Sequence, residues 1–484
     1  TGTRTFTGAV TINSGGVWDL SGQNPATSFA NGITMSGTTF NNGTGAAAFS
    51  ASQSLAGANN MTFGGTITPA NTFTLTNSNT GTVTVSSTGS IVLTGNFTQG
   101  VNSTLALAAT SPFSGAGTFN ASTNANTVNY TGAAQTVKAV SYKTLGLSGS
   151  GAKTMTGVTT IGTDFNMSGS ATATTVITSI GGNASITGTA VWTNGAINTL
   201  TGTLTVGTGA TLTMDNFAFT VTGTSSITGT VNTATGNTGT RTFTGAVTIN
   251  SGGVWDLSGQ NPATSFGGGI TMSGTTFNNG TGSSAFSANQ SLGGANNMTF
   301  GGSVTPANST TLTNNNTGTV TISSIVLTGN FTQGTNSSLS LSSASPFSGV
   351  GTFDANTNDV LGVVGERYVP LQNEELFSFG DNLLDGGGRW ETAGSLRNGR
   401  QVFGALALDR ETVLDPNGVA DVVKNYLVVF TSHDGSTSVV AAVTPIRVTC
   451  SNTLNVALKT AKQSFKLRHT QSLDGRVATA REAL

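Results

Sequence analysis

The sequence predicts a mainly β protein: a parallel β-solenoid repeat rod followed by a truncated α+β segment. Three observations carry that prediction. Residues Thr1 to Phe29, TGTRTFTGAVTINSGGVWDLSGQNPATSF, recur letter for letter as Thr238 to Phe266, 237 positions downstream. From Thr1 to about Asn358, apolar and polar residues alternate with strand period between turn-forming Gly, Asn and Ser. Charge is scarce over the same stretch and returns abruptly at Asp359.

The duplication divides the chain. A first copy spans 1–124, linking coils span 125–237, and a second copy spans 238–358. The match continues through NMTFGG at Asn60 and Asn297, loses three residues beside Ser87, and resumes as GNFTQG at Gly95 and Gly329 and as SPFSG at Ser111 and Ser345. Where the first copy runs on as ANTVNYTGAAQTV from Ala125, the second changes at Asp359 into DVLGVVGERYVPLQNEELF. A partial α+β domain over 359–484 follows from that point.

Alternation chooses strands, and length chooses their arrangement. The pairs Val10 and Ile12, Ile33 and Met35, Val83 and Val85, and Leu105 and Leu107 each place two apolar residues on one side of a short strand. Gly, Asn or Ser-Gly bounds each run, the residues that tolerate positive φ in tight turns. So long a rhythm exceeds any single sandwich. Coils of roughly 20 residues stacked at about 4.8 Å accommodate it as about 18 coils, a rod on the order of 85 Å. Stacking also explains the composition. Inward Val, Ile, Leu and Phe lie on their equivalents above and below, whereas like charges in register would repel at every rung.

Of 18 Lys and Arg, only Arg4, Lys138, Lys143, Lys153 and Arg241 precede Asp359, and of 19 Asp and Glu, only Asp19, Asp164, Asp215, Asp256 and Asp354 do. Both histidines lie beyond it. Polarity without charge gives the first part no electrostatic footprint for nucleic acid or an anionic membrane. The single cysteine, Cys450, excludes an internal disulfide and is expected to be a buried thiol in an apolar strand. No run approaches the roughly 20 apolar residues of a membrane span.

The phrases NTVNYTGAAQTVKAVSYKTLGLSGSGAKTMTG (Asn126 to Gly157) and GTLTVGTGATL (Gly202 to Leu212) make this stretch resemble the β-strand-repeat segments of bacterial surface proteins of adhesin and autotransporter type. That resemblance implies a secreted or cell-surface solenoid without catalysis. Surface glycans or proteins would be its partners.

Beyond Asp359 the pattern changes. Asn373 with Glu374 and Glu375 opens an expected helix carrying Leu376, Phe377, Leu383 and Leu384. Strands are expected at Arg400 to Leu408, Asn425 to Ser432 and Ser436 to Cys450. A second helix is expected from about Asn452, with Leu454, Leu458, Ala461 and Phe465 on one side. The phrases LGVVGERYVPLQNEELF, ETAGSLRNGRQVF, YLVVFTSHDGS and VTPIRVTCSNTLNVAL resemble the C-terminal half of the phage/plasmid-like protein family, built on a domain of unknown function. The resemblance implies a cytoplasmic mobile-element protein and assigns no catalytic residue.

Candidate sites are few. Ser432, His433 and Asp434 spell a catalytic triad but are consecutive, so their side chains diverge; Asp434 and Gly435 read as a hairpin turn. In Gly149-Ser-Gly-Ala-Lys153-Thr154, Ala152 stands where a phosphate loop needs Gly. Asp381 and Asp385 begin a calcium-loop spacing that Leu383 and Thr392 break. Trp18 and Trp255, one position seen twice, suit a coil core better than a glycan platform, and Asp19 and Asp256 beside them lack the second carboxylate of a glycosidase. Lys459, Lys462 and Lys466 fall at i, i+3 and i+7 of the expected last helix with Arg468 beyond, a solvated face or a nucleic-acid contact. No enzyme, cofactor or metal is expected. End-to-end self-association follows from terminal coils without a polar cap. A surface solenoid joined without a linker to a cytoplasmic-type half-domain also reads as a chimeric chain of unrelated pieces.

Overall fold

Alternating strands punctuated by tight turns bring equivalent residues of successive coils into register, and the result is a stack of side-chain columns. A computed structural model of the chain describes residues 2–234, 239–355, 364, 368–382, 388–397, 399–414, 421–461 and 463–469. It is mostly β, with a parallel β-solenoid of about 16 turns and a C-terminal antiparallel sheet. Two compact units divide the chain, Thr1–Gln260 and Asn261–Leu484.

In the first unit a turn contributes three short strands. Ala184–Ile186, Val191–Asn194 and Asn198–Leu200 lie in parallel register on Leu204–Val206, Thr211–Met214 and Phe219–Val221. One inward column runs Met61, Val83, Leu105, Val128, Leu145, Phe165, Ala184, Leu204 through successive pairings, every member buried. Most rungs hide a branched or aromatic side chain against its neighbours above and below, worth about 1.5–3 kcal/mol for the larger ones. Many turns take 22 residues, as from Met61 to Val83 and Val83 to Leu105. Coils longer than the roughly 20 residues expected account for fewer turns than the anticipated 18 or so.

Corners are closed by buried amides, and the duplicated sequence closes them twice in the same way. Asn77 Nδ2 donates to Gln99 Oε1 at 3.0 Å, and Asn314 Nδ2 donates to Gln333 Oε1 at 3.2 Å. Asn79 and Asn316 each donate to a carbonyl, of Asn59 and Asn296, at 2.8 Å. Gly57 and Gly294 both have positive φ, and a Cβ on either would come within 2.0 Å of the Met35 or Met272 carbonyl. Only glycine lets the coils approach so closely there.

The three-residue loss is absorbed locally. In the first copy Thr82–Val85 and Ile91–Val92 are separate strands around a turn; in the second they fuse into Thr319–Leu327. Pairing partners are kept. Val83 opposes Leu105 and Val320 opposes the equivalent Leu339, while Ile67 opposes Ile91 and Val304 opposes Ile325.

The second unit ends in a five-stranded antiparallel sheet ordered as in sequence: Gly388–Leu396, Gln401–Leu414, Asp421–Ser432, Val439–Thr444 and Gln463–Leu467. Helix α1 (Asn373–Asn382) contributes Leu376, Phe377 and Phe379 to the cluster on one face with Trp390, Leu406 and Val429. Helix α2 (Ser451–Thr460) covers the other face through Leu454 and Ala457 against Phe403, Val428 and Val440. Leu383 and Leu384, expected on α1, lie outside the described residues.

Two expectations fail here. The last helix stops at Thr460, and Phe465 belongs to the edge strand Gln463–Leu467, where it opposes Ala441. The backbone is already extended at Ala461 (φ −58°, ψ 124°), so the helical spacing of Leu454, Leu458, Ala461 and Phe465 is broken by strand pairing. Cys450 is exposed instead of buried, because the apolar strand ends at Thr444 and the cysteine sits at the start of α2.

Candidate functional site

Among the described residues no group of three or more His, Cys, Asp and Glu is placed to hold a metal, and no helix is long and apolar enough to cross a membrane.

The basic residues singled out by spacing do not form one helical stripe. Lys459 lies in the last turn of α2, Lys466 on the edge strand opposite Val440, and Arg468 just past that strand, all exposed. Lys462 lies outside the described residues. A lysine on an edge strand also discourages pairing with another sheet.

Ser432, His433 and Asp434 occupy a tight turn, as their adjacency implies. Ser432 Oγ donates to the Thr437 carbonyl at 2.8 Å and accepts the Thr437 amide at 3.0 Å, closing the hairpin. Asp434 Oδ1 accepts the Ser436 amide at 2.9 Å, and Gly435 supplies the positive φ of 74°. His433 turns elsewhere: its Nε2 lies 2.8 Å from Asn373 Oδ1. No proton relay connects the three.

What spacing did not reveal is that His469 packs beside the strand end that leads into His433, through Thr431. His469 stacks on the Tyr368 ring with centroids 4.5 Å apart. Its Nδ1 lies 3.1 Å from the Val369 carbonyl and its Nε2 3.4 Å from Thr431 Oγ1, while the Tyr368 hydroxyl donates to the Ser432 carbonyl. Burial holds His433 below its ordinary pKa, and His469 lowers it further, against the opposing pull of Asp434 and Asp354. Burial likewise lowers His469, with its Val369 hydrogen bond acting the other way. Nothing in sequence announces this cluster, because Thr431 and His469 are 38 residues apart.

A cavity of about 290 Å³ in the second unit is lined by Gln333, Leu339, Leu341, Phe347, Phe377 and Cys450, among others. Hydrogen bonding with Thr453 holds the Cys450 thiol below its ordinary pKa. Inside the coils, two cations are buried. Lys153 Nζ donates to the carbonyls of Gly132 and Ala133 and to Gln135 Oε1 at 2.6–2.7 Å, so the phosphate-loop look-alike is a lysine clamped on its own coil. Desolvation pulls that lysine down to about 8. Arg241 is held by carbonyls of Asp215, Phe217 and Gly239, and burial pulls it to about 10 despite Asp215.

Of the remaining candidates, Asp381 Oδ1 accepts the Trp390 indole N–H at 2.5 Å, and Asp385 lies outside the described residues. Trp255 is fully buried in a coil interior, whereas Trp18, stacked on Phe40 with centroids 5.7 Å apart, is half-buried. Asp19 and Asp256 each accept the amide two residues on, from Ser21 and Ser258.

A five-stranded sheet flanked by two helices is what the described residues of the C-terminal segment offer. Residues 360–484 match a domain of unknown function, DUF932. The match begins one residue after the compositional break at Asp359. It supports the phage/plasmid-like reading of the DUF932 segment and leaves the coils without a family name. No curated protein and no solved structure matches the chain.

Proposed function

We propose that the coils serve a structural and adhesive role without catalysis, as in secreted or cell-surface bacterial solenoids, and that the DUF932 segment is an appended module. One observation carries this reading: the outward positions of the coils are mostly Thr, Ser and Asn, while Lys153 and Arg241, two of the few charged residues there, are turned inward. Neutral hydroxyl and amide rows offer hydrogen bonds to glycans or to extended protein segments without electrostatic attraction. The purified chain should therefore bind immobilised glycans or matrix proteins saturably, with affinity nearly unchanged from about 50 to about 500 mM salt. Failure to bind any such surface would overturn the adhesive role.

A second reading rests on the exposed Lys459, Lys466 and Arg468, which suit nucleic-acid phosphates and a cytoplasmic mobile-element role. It requires DNA or RNA binding whose log affinity falls with log salt, at a slope of roughly −0.9 per phosphate neutralised. Charge-reversal at Lys466 and Arg468 should then flatten that slope.

A further inference from the structure

The duplication shows what covers each coil, and on the last coil something else does. In the first copy Leu105 and Leu107 oppose Val128 and Tyr130 of the next coil, and all four are 0% exposed. Their equivalents in the second copy, Leu339 and Leu341, are only half-buried. Across from them, Leu396, Val402 and Phe403 of the DUF932 sheet line the same cavity of about 290 Å³. Phe347 and Phe377 close one side, with ring centroids 5.7 Å apart. Elsewhere the two apolar walls do not meet, and the space between them is close to the lower bound for small-molecule pockets, roughly 300 Å³.

Two polar groups serve this space. Gln333 is 7% exposed and lines the cavity; its Oε1 accepts Asn314 Nδ2 at 3.2 Å, and its Nε2 donates to no described residue. A buried amide donor left unpaired is costly, so the cavity favours an occupant that carries an acceptor. Cys450 lines the same cavity and is also exposed to solvent, which puts its thiol at the mouth. Hydrogen bonding with Thr453 and the N-terminus of the ten-residue α2 favour its thiolate.

We propose that Cys450 is an S-acylation site whose acyl chain occupies the cavity between Leu339 and Leu341 on the coil and Val402 and Phe403 on the sheet. The modifying group is a short to medium-length fatty acyl chain delivered as a soluble thioester. The Cys450 thiolate attacks the acyl carbonyl; the new C–S bond forms as the donor's C–S bond breaks, and the departing thiolate takes up a proton from water. One thioester replaces another, and nothing is oxidised or reduced. The acyl carbonyl is the acceptor that the Gln333 amide lacks, and the chain supplies the apolar contacts that Val128 and Tyr130 supply in the first copy.

Cys450 is the single cysteine, so the urea-unfolded full chain is the reference for its intrinsic reactivity. Folded and unfolded chains are incubated with acetyl- and octanoyl-coenzyme A, and the adduct is read by intact mass and by its release with neutral hydroxylamine. The folded chain should take octanoyl faster than acetyl by about tenfold or more, because the longer chain buries apolar carbons that acetyl lacks. The unfolded chain should show no such preference. Leu341→Trp and Ala393→Leu, which fill the cavity from its two walls, should each abolish the preference while acetyl transfer stays as it was. Gln333→Leu should slow octanoyl transfer severalfold, and Cys450→Ser should yield no hydroxylamine-sensitive adduct. Equal rates for the two acyl groups in the folded chain, or an octanoyl preference that survives both filling variants, would overturn the proposal. So would octanoyl transfer that Gln333→Leu leaves unchanged, or a hydroxylamine-sensitive adduct retained by Cys450→Ser.

Discussion

The hydroxyls of Tyr130 and Tyr142 lie 2.8 Å apart inside a coil, both fully buried. Tyr142 donates on to the Lys138 carbonyl at 2.8 Å, and the Lys138 amide donates to Tyr130 at 3.0 Å, which closes a small ring of hydrogen bonds. Burial pushes both phenols well above their ordinary pKa. Tyr130→Phe would strand the Lys138 N–H and one acceptor of Tyr142. We expect a loss of about 1–3 kcal/mol, read as a lower urea midpoint at unchanged slope. An unchanged midpoint would show that the ring contributes nothing.

Lys153 couples coil stability to alkali. Its folded pKa, about 8, lies below the ordinary 10.5, so between those values the unfolded chain holds more protons than the folded one. Stability should rise with pH across that window, and the penalty should be fully present below it. Lys153→Met removes the slope, and wild type minus variant, measured by urea unfolding from about pH 7 to about pH 10.5, isolates it. A flat difference would mean that the three acceptors on Nζ offset the desolvation.

The two histidines act with the same sign as Lys153, in a lower pH window. Both are held below 6.5 by burial, so as pH falls through 6.5 the unfolded state takes up protons first and the C-terminal sheet loses stability. Near-UV circular dichroism should report loosening of that sheet in mild acid. His469→Phe, which keeps a ring against Tyr368, should shift the transition to lower pH. A transition that does not move would assign the acid sensitivity elsewhere.

Ser225 interrupts an apolar column between Leu204 and Val247, and its Oγ is buried without a hydrogen-bond partner. Ser225→Ala removes an unmet polar group from between two aliphatic neighbours. The variant should be more stable by about 1 kcal/mol in urea unfolding. A loss of stability would imply a water or a shifted rotamer at that rung.

Much of the coil was legible because its signal is local. Val83 and Val85 or Leu105 and Leu107 declare a strand face by spacing alone, and the duplication fixes which coils are equivalent. The DUF932 segment was legible in outline, as α1, α2 and the hairpin at Asp434 and Gly435 show. Its last strand was not. Leu454, Leu458, Ala461 and Phe465 keep helical spacing, and only pairing with Val439–Val443 makes Gln463–Leu467 extended. The packing of His469 against Tyr368 and Thr431 and the burial of Lys153 among carbonyls depend on contacts made after folding, which residue spacing does not encode.

The loss beside Ser87 has a consequence at the level of the gene. Because Val320 still finds Leu339 and Val304 still finds Ile325 after three codons are gone, a coil reads its neighbours by partner and tolerates a change in the distance between them. Misaligned copying can then shorten or lengthen one turn, or multiply whole turns, while every ladder stays joined. Lineages carrying such a gene are expected to differ in length far sooner than they differ in the inward-facing residues.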